Sequence, residues 1–470
     1  MPSQAALALF LAFIGWLFVR DIRQRDRQKV SPMGWLPLAW VFILGSRPLS
    51  LWLSQGGNFD SPEEYLEGNQ MDRLLFAGLI VAGVAVVAAR RGQFQPFIKY
   101  NRWLFLLCVY WGISAIWAES PFVAFKRWFK DMGSVVMVLV ILSEKDPVEA
   151  IRAVMARATF LLIPLSVLVI RWYPGLGRSF NRWTGESFYQ GVTTNKNQLG
   201  ITLTVCTLFI VWDLLRMWKG RRESRPYIDF GNRMLLLLMS FWLLRVAHSA
   251  TSLACTAFGI AGILFCQLRI VQQHRRHLLR LTIMAALLML YLSLFIDIPA
   301  IVAKSMGRDP SLHGRTEIWS MVLAEKSNPV IGAGFYSFWT SERVNRFLDV
   351  YSFVLTQAHN GYMETYLNGG LVGLGLLLAV IFAGGAKIQR RLMTNPDWGV
   401  VSLILWLTIL VHNWTEASFN KLSLLWFAML LICIEYPRWR KTTRPARVPI
   451  QSEPCGMGQV EITTSLSSSQ

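Results

Sequence analysis

Residues 363–384 read METYLNGGLVGLGLLLAVIFAG, and Glu364 is the one Asp, Glu, Lys or Arg among the twenty-two. A helix of that length rises about 33 Å at 1.5 Å per residue, enough to cross the hydrocarbon core of a bilayer. His359 and Asn360 precede the stretch, and Lys387, Arg390 and Arg391 follow it. Outward from this segment, comparable apolar runs fall at about 4–19, 33–54, 74–89, 103–118, 121–142, 153–172, 198–215, 233–250, 252–268, 280–297, 400–414 and 421–436. With 53% hydrophobic residues in 470 and a mean hydropathy of +0.39, the chain is too apolar for a soluble enzyme of its length. Its 20 Trp and 28 Phe suit a lipid-facing surface. The expected fold is all-α, a polytopic integral membrane bundle of 12–13 transmembrane helices.

The net charge of +19 would suggest nucleic acid in a soluble protein, but here it follows topology. Thirteen crossings with the N-terminus outside make every other loop cytoplasmic. The inside segments then include Arg20–Lys29, Arg90–Arg102, Arg216–Arg233, Arg269–Arg280, Lys387–Arg391 and Arg438–Arg447, which hold 27 Lys and Arg. That is the asymmetry of the positive-inside rule. The first outside loop, 55–72, has five acids and no base. No basic residue precedes Ala5–Val19 and no small-residue cleavage site follows it, so it reads as a retained helix. Five of the six cysteines, Cys108, Cys206, Cys255, Cys266 and Cys433, fall in apolar segments and Cys455 falls in the tail, so no disulfide framework or thiolate metal site is indicated. Residues 1–447 form the expected bundle, and 448–470, rich in Ser, Thr and Gln, a disordered cytoplasmic tail.

Two outside loops are long, 171–197 and 298–357. In the second, helix-like pieces at 317–326 and 342–354 flank a turn at Asn328-Pro329 and Gly332-Ala333-Gly334. Loops of this length in a compact bundle usually carry function. They also break the charge rule, with Arg178, Arg182 and Lys196 in one and Arg308, Arg315, Lys326, Arg343 and Arg346 in the other. Outward-facing guanidinium groups suit a phosphate through their two-donor fork, or equally a lipid headgroup met by a snorkelling side chain. Arg343 and Arg346, on a surface helix, fit the second description. His359 at a helix mouth could act as a general base or simply cap the helix, and His412 before Asn413 repeats the pattern.

The order of the surrounding residues separates the two histidines. Gly314-Arg315-Thr316-Glu317-Ile318-Trp319, Asn328-Pro329-Val330-Ile331-Gly332-Ala333-Gly334, Ala358-His359-Asn360-Gly361-Tyr362 and Gly369-Gly370-Leu371-Val372-Gly373-Leu374 occur in sequence. This series resembles the signature of the O-antigen ligase and O-antigen polymerase superfamily. Thr194-Asn195-Lys196-Asn197-Gln198-Leu199-Gly200 is similar to an element of its exopolysaccharide polymerase-type members. Ser114-Ala115-Ile116-Trp117-Ala118-Glu119-Ser120-Pro121 is similar to a family turn, with Ala118 where the family has Ser. The resemblance spans residues 100–435.

The resemblance implies a C-type membrane glycosyltransferase that moves a glycan from undecaprenyl diphosphate to a glycan or lipid-linked acceptor at the periplasmic face of the inner membrane. It implies no cofactor and no metal, and the outward loops hold no Asp-Xaa-Asp pair. Membrane lipids and polysaccharide chain-length or export proteins are the further partners expected, and nucleic acid is not. By the same resemblance Arg315 clamps the diphosphate and His359 orients or deprotonates the attacking hydroxyl. Lys196, Arg182, Asn197, Asn360 and Glu364 are the expected substrate-binding residues. Ligase-type members carry a Ser-Arg pair where this chain has His248-Ser249-Ala250-Thr251-Ser252, so Lys196 or Arg245 would substitute. That departure favours a polymerase over a lipid A-core ligase. A transporter or flippase of lipid-linked glycan, the reading from another class, requires ionisable residues deep in several helices. Few are evident, Arg245 being the clearest.

Overall fold

The computed structural model describes residues 2–25, 31–53, 69–90, 94–180, 187–219, 227–293, 315–325, 327–351 and 355–436. Each of the thirteen apolar segments contains a helix: α1 (Ser3–Arg25), α2 (Trp35–Gly45), α3 (Gln70–Ala89), α4 (Arg102–Ser114), α5 (Pro121–Leu142), α6 (Pro147–Trp172), α7 (Lys196–Lys219), α8 (Tyr227–Ala247), α9 (Ala250–Phe265), α10 (Leu278–Ser293), α13 (Gly361–Thr394), α14 (Pro396–Thr415) and α15 (Leu424–Cys433). Between α10 and α13 lie α11 (Arg315–Ala324) and α12 (Ser341–Tyr351), where the sequence places two short helices. Among the described residues seven helices are long and apolar enough to cross a membrane, and four shorter ones are strongly apolar. The all-α polytopic bundle is borne out. The tail 448–470, Cys455 and residues 298–314 of the long loop lie outside the described residues.

Cross-links sort the helix ends into two groups. At one end Gln198 Nε2 donates to Ser46 O (3.1 Å), the Phe335 amide to Ser114 Oγ (3.1 Å), and Thr415 Oγ1 to Thr251 Oγ1 (3.2 Å). At the other, Arg90 pairs with Glu144 (2.5 Å), Lys219 with Asp397 (3.3 Å), and Gln389 Nε2 donates to Arg276 O (2.9 Å). The second group is where the charge pattern puts the basic segments.

The centre is α15, every residue of which is buried. Ten residues rise only about 15 Å, so its carbonyl end stops inside the bundle and needs donors. Lys387 Nζ donates to Cys433 O (2.9 Å) and Arg391 to Ile434 O (2.9 Å), placing two cations at the negative end of the helix dipole.

The motif-bearing helix α13 is not continuous. Gly370 sits at φ 59°, ψ −161°, which breaks the ladder and frees backbone groups on both sides. The turn at 328–334 fills the break: the amides of Leu371 and Val372 donate to Pro329 O (2.9 Å) and Val330 O (3.0 Å), and those of Ala333 and Gly334 to Leu367 O (3.0 Å) and Asn368 O (2.8 Å). A Cβ on Gly370 would stand 2.3 Å from the Val330 carbonyl carbon, so only glycine fits both the dihedral and the contact. Two glycine motifs distant in sequence thus form one joint.

Two features depart from the sequence reading. Residues 178–180 and 187–189 form an antiparallel hairpin with Ser179 opposite Phe188. Arg245 is exposed, and several ion pairs lie deeper: Arg157 with Asp21 (2.8 Å), Arg233 with Asp213 (3.0 Å) and the half-buried Arg20 with Asp229 (2.6 Å). These pairs cross-brace helices.

Candidate active site

The site is assembled at the first group of helix ends. Asn360 caps α13, its Oδ1 accepting the amides of Tyr362 (3.0 Å) and Met363 (3.1 Å). Glu364, one turn on, reaches back: Oε2 accepts the Ala358 amide (3.0 Å) and Oε1 accepts Trp339 Nε1–H (2.8 Å). The sequence reading expects substrate contacts from both residues; within the protein their oxygens accept from the 358–364 backbone and from the Trp339 indole. Between these anchors His359 is held at φ 49°, a left-handed conformation unfavourable for a residue with a Cβ.

Trp319 Nε1 donates to Ala358 O (2.8 Å), docking α11 onto the His359 loop. Arg315 opens α11 one turn before Trp319, so its backbone belongs to the same end of the bundle as His359. Arg182, Arg308 and Lys326 lie outside the described residues. Arg178 donates to Ile170 O (3.0 Å) and stacks on Tyr189, bracing the hairpin. Arg343 donates to Phe338 O (2.9 Å), and Arg346 pairs with Glu325 (2.9 Å) and Glu342 (3.0 Å), as expected of surface residues.

Glu416, the residue the sequence reading missed, ties the site together. His359 Nδ1 lies 3.2 Å from its Oε2, and Asn197 Nδ2 donates to its Oε1 (2.9 Å). Glu416 follows α14, Asn197 lies in the first turn of α7 and His359 precedes α13, so three helix ends meet on one carboxylate. Glu416 is buried, while the His359 side chain is 27% exposed. Lys196 precedes Asn197 in the chain, and its Nζ lies 4.9 Å from the Phe188 ring centre. Lys421, also missed, stands 3.4 Å from Gln357 Oε1 and 3.9 Å from Glu364 Oε1. It lines a cavity with Trp111, Tyr336, Glu364, Asn368 and Asn420. His412 is 1% exposed within α14, so the two His-Asn pairs differ in access, and only His359 reaches the mouth.

Strain is concentrated here. Four non-glycine residues have positive φ among the described residues, and three of them, Tyr336, His359 and Asn420, border this cavity or the carboxylate. Such conformations persist where the surrounding structure over-determines them, commonly at functional sites. Burial pushes the Tyr336 phenol well above its ordinary value, the nearby carboxylate of Asp131 adding to the shift, so it stays a neutral hydroxyl. Arg47, buried before the hairpin loop, donates to the carbonyls of Leu176 (2.7 Å), Gly191 (2.8 Å), Thr193 (3.1 Å) and Val192 (3.2 Å). It fixes the loop that delivers Lys196 and Asn197.

Residues 234–378 match the family model described as O-antigen ligase. About a third of the chain is therefore similar to that family. That segment runs from α8 into α13 and includes Arg315, Tyr336, His359, Asn360 and Glu364, so the superfamily resemblance read from the motifs at 314–374 holds. Asn197, Glu416 and Lys421 lie outside it and join it only in space. No curated protein matches the chain. The family match, together with the seven helices long and apolar enough to cross a membrane, supports a multi-pass membrane protein similar over this segment to the O-antigen ligase family.

Proposed function

We propose that this protein joins glycans carried on undecaprenyl diphosphate at the periplasmic face of the inner membrane, elongating an exopolysaccharide or O-antigen. The observation that carries the reading is the His359–Glu416–Asn197 cluster at one end of the bundle, with the Arg315 helix docked beside it. In it Glu416 accepts Nδ1–H and leaves Nε2 as the basic nitrogen facing the acceptor, the division of labour in carboxylate–histidine pairs generally. Nε2 takes the proton of an acceptor hydroxyl as its oxygen bonds to the anomeric carbon of the donor sugar. The bond from that carbon to the diphosphate oxygen breaks, and the lipid diphosphate leaves with the electron pair. The imidazolium, stabilised by Glu416, returns its proton to water. A positioned base is worth about 10²- to 10⁴-fold. Cationic groups at the leaving diphosphate, Arg315 and Lys196 on this reading, supply several kcal/mol more in a water-poor site.

Asn197 supports the polymerase assignment. It belongs to the Lys-Asn element similar to exopolysaccharide polymerases, and here that element hydrogen-bonds the carboxylate that holds the base. The family description favours the alternative, transfer to lipid A-core. The glycans accumulating after deletion decide between them. A polymerase mutant accumulates single lipid-linked repeats, and a ligase mutant long chains still on the carrier. Unaltered glycans would refute both.

A further inference from the structure

His359 Nδ1 has polar neighbours of opposite kind. Glu416 Oε2 stands 3.2 Å away and Gln357 Nε2 3.5 Å away. An ionised carboxylate only accepts, and an amide NH2 only donates. The Nδ1 proton therefore goes to Glu416, and it goes there undivided while Gln357 presents its nitrogen. Turned over, the same amide would offer Oε1 to Nδ1–H and compete for it.

Lys421 decides which way that amide faces. Its Nζ lies 3.4 Å from Gln357 Oε1, and an ammonium has protons to give and no lone pair to accept with. With the amide reversed, NH2 would face NH3+, donor against donor. Glu364 Oε1 is farther from the ammonium, at 3.9 Å, and already accepts from Trp339 Nε1 (2.8 Å).

The loop between α14 and α15 holds Lys421 in place. Asn413 Oδ1 accepts the amides of Ser418 (2.8 Å) and Phe419 (3.0 Å). Ser423 Oγ donates to Ser418 O (3.1 Å) and accepts the Trp426 amide (3.2 Å). Asn420 Nδ2 donates to Thr365 Oγ1 (3.3 Å), and Asn420 itself sits at φ 52°. A residue with a Cβ keeps that conformation where its surroundings over-determine it. One braced loop thus addresses the imidazole twice, directly with Glu416 and through Gln357 with Lys421.

We propose that Lys421 is a positioning residue: by holding the Gln357 amide with its nitrogen toward His359, it keeps the amide oxygen from competing with Glu416 for the Nδ1 proton. The orientation stands by itself, and only its effect on turnover rests on the reading of His359 as the base. The test follows both. Purified protein with 15N in its histidine rings is reconstituted in proteoliposomes, and the His359 resonances, assigned by their loss in His359→Ala, are recorded beside turnover and KM. Lys421→Met should shift the His359 Nδ1 resonance and lower turnover about tenfold, the lower end of what a hydrogen bond to a charged group is worth, with KM for the lipid-linked donor unchanged. Lys421→Arg, which restores a cationic donor, should recover most of both. In a Gln357→Met background Lys421→Met should add nothing to either readout, because the intermediary is gone. Thermal melting controls folding; if Lys421→Met does not fold, Gln357→Glu, which sets an oxygen toward Nδ1 while leaving Lys421 an acceptor, should give the same shift and loss. An unmoved resonance in the folded variant, additive losses in the double variant, or a raised KM with unchanged turnover would each overturn the proposal. A shifted resonance with wild-type turnover leaves the positioning standing and refutes the base reading alone.

Discussion

Replacing Glu416 by Gln isolates the contribution of one carboxylate to the base. In the native site Oε2 faces His359 Nδ1 at 3.2 Å and Oε1 accepts Asn197 at 2.9 Å. Glutamine keeps the length and one oxygen. If that oxygen stays with Asn197, an NH2 group meets Nδ1–H, donor against donor; if it turns to His359, Asn197 loses its acceptor. Either way one hydrogen bond to a charged group is lost, about 1.5–3 kcal/mol, and the imidazolium loses its counter-charge. At 1.36 kcal/mol per tenfold, turnover should fall about 10- to 150-fold. KM for the lipid-linked donor should change little, because the carboxylate contacts the base and not the substrate. The assay is chain extension or transfer by purified protein in proteoliposomes, with melting temperature measured beside it. Turnover at the wild-type rate in a folded Glu416→Gln protein would refute the assignment of Glu416, and a loss matched by unfolding would reduce it to a brace.

The remaining predictions concern the parts that hold the site. Arg47→Ala removes the donor to four backbone carbonyls and should destabilise the 176–193 loop by at least about 3 kcal/mol, since bonds from a charged donor are worth about 1.5–3 kcal/mol each; limited proteolysis should cut there first, and an unchanged cleavage pattern would count against it. Gly370→Ala forces a Cβ to 2.3 Å from Val330 and should lower the melting temperature sharply, whereas Gly375→Ala, with nothing within 4 Å, should match or slightly exceed wild type. Equal behaviour of the two would remove the joint from the account. Arg315→Lys should be severely impaired in transfer although its charge is kept, because an ammonium lacks the guanidinium fork; wild-type turnover would exclude two-donor recognition of the diphosphate.

Most of the fold could be read from hydropathy because a membrane span is a local property: twenty apolar residues declare themselves without knowledge of their neighbours. The helix at 121–142 is the weakest case, because Lys126, Arg127, Lys130 and Asp131 interrupt its apolar run. Short motifs placed His359 and Arg315, and the pairing of the 328–334 turn with Gly370 explains why those motifs occur together. Glu416 was not legible. It is 219 residues from Asn197 and 57 from His359 in sequence, and only the packing of α7, α13 and α14 makes them neighbours. The repeat of His-Asn at 412–413 was the available signal; it marks a turn at the same end of the bundle, with the useful residue three positions beyond the pair. Asn360 and Glu364 also have partners within the protein that the sequence does not show: Asn360 caps α13, and Glu364 accepts from the Ala358 amide and the Trp339 indole. The hairpin at 178–189 escaped notice because strands of three residues give no usable alternation.

The central claim is that the imidazole of His359 removes a proton from the acceptor, and chemical rescue addresses it directly. His359→Ala protein in proteoliposomes, supplied with lipid-linked donor, should be folded and almost inactive, and added imidazole should restore measurable transfer in proportion to its concentration. A folded His359→Ala protein that transfers glycan at the wild-type rate without imidazole would contradict the account.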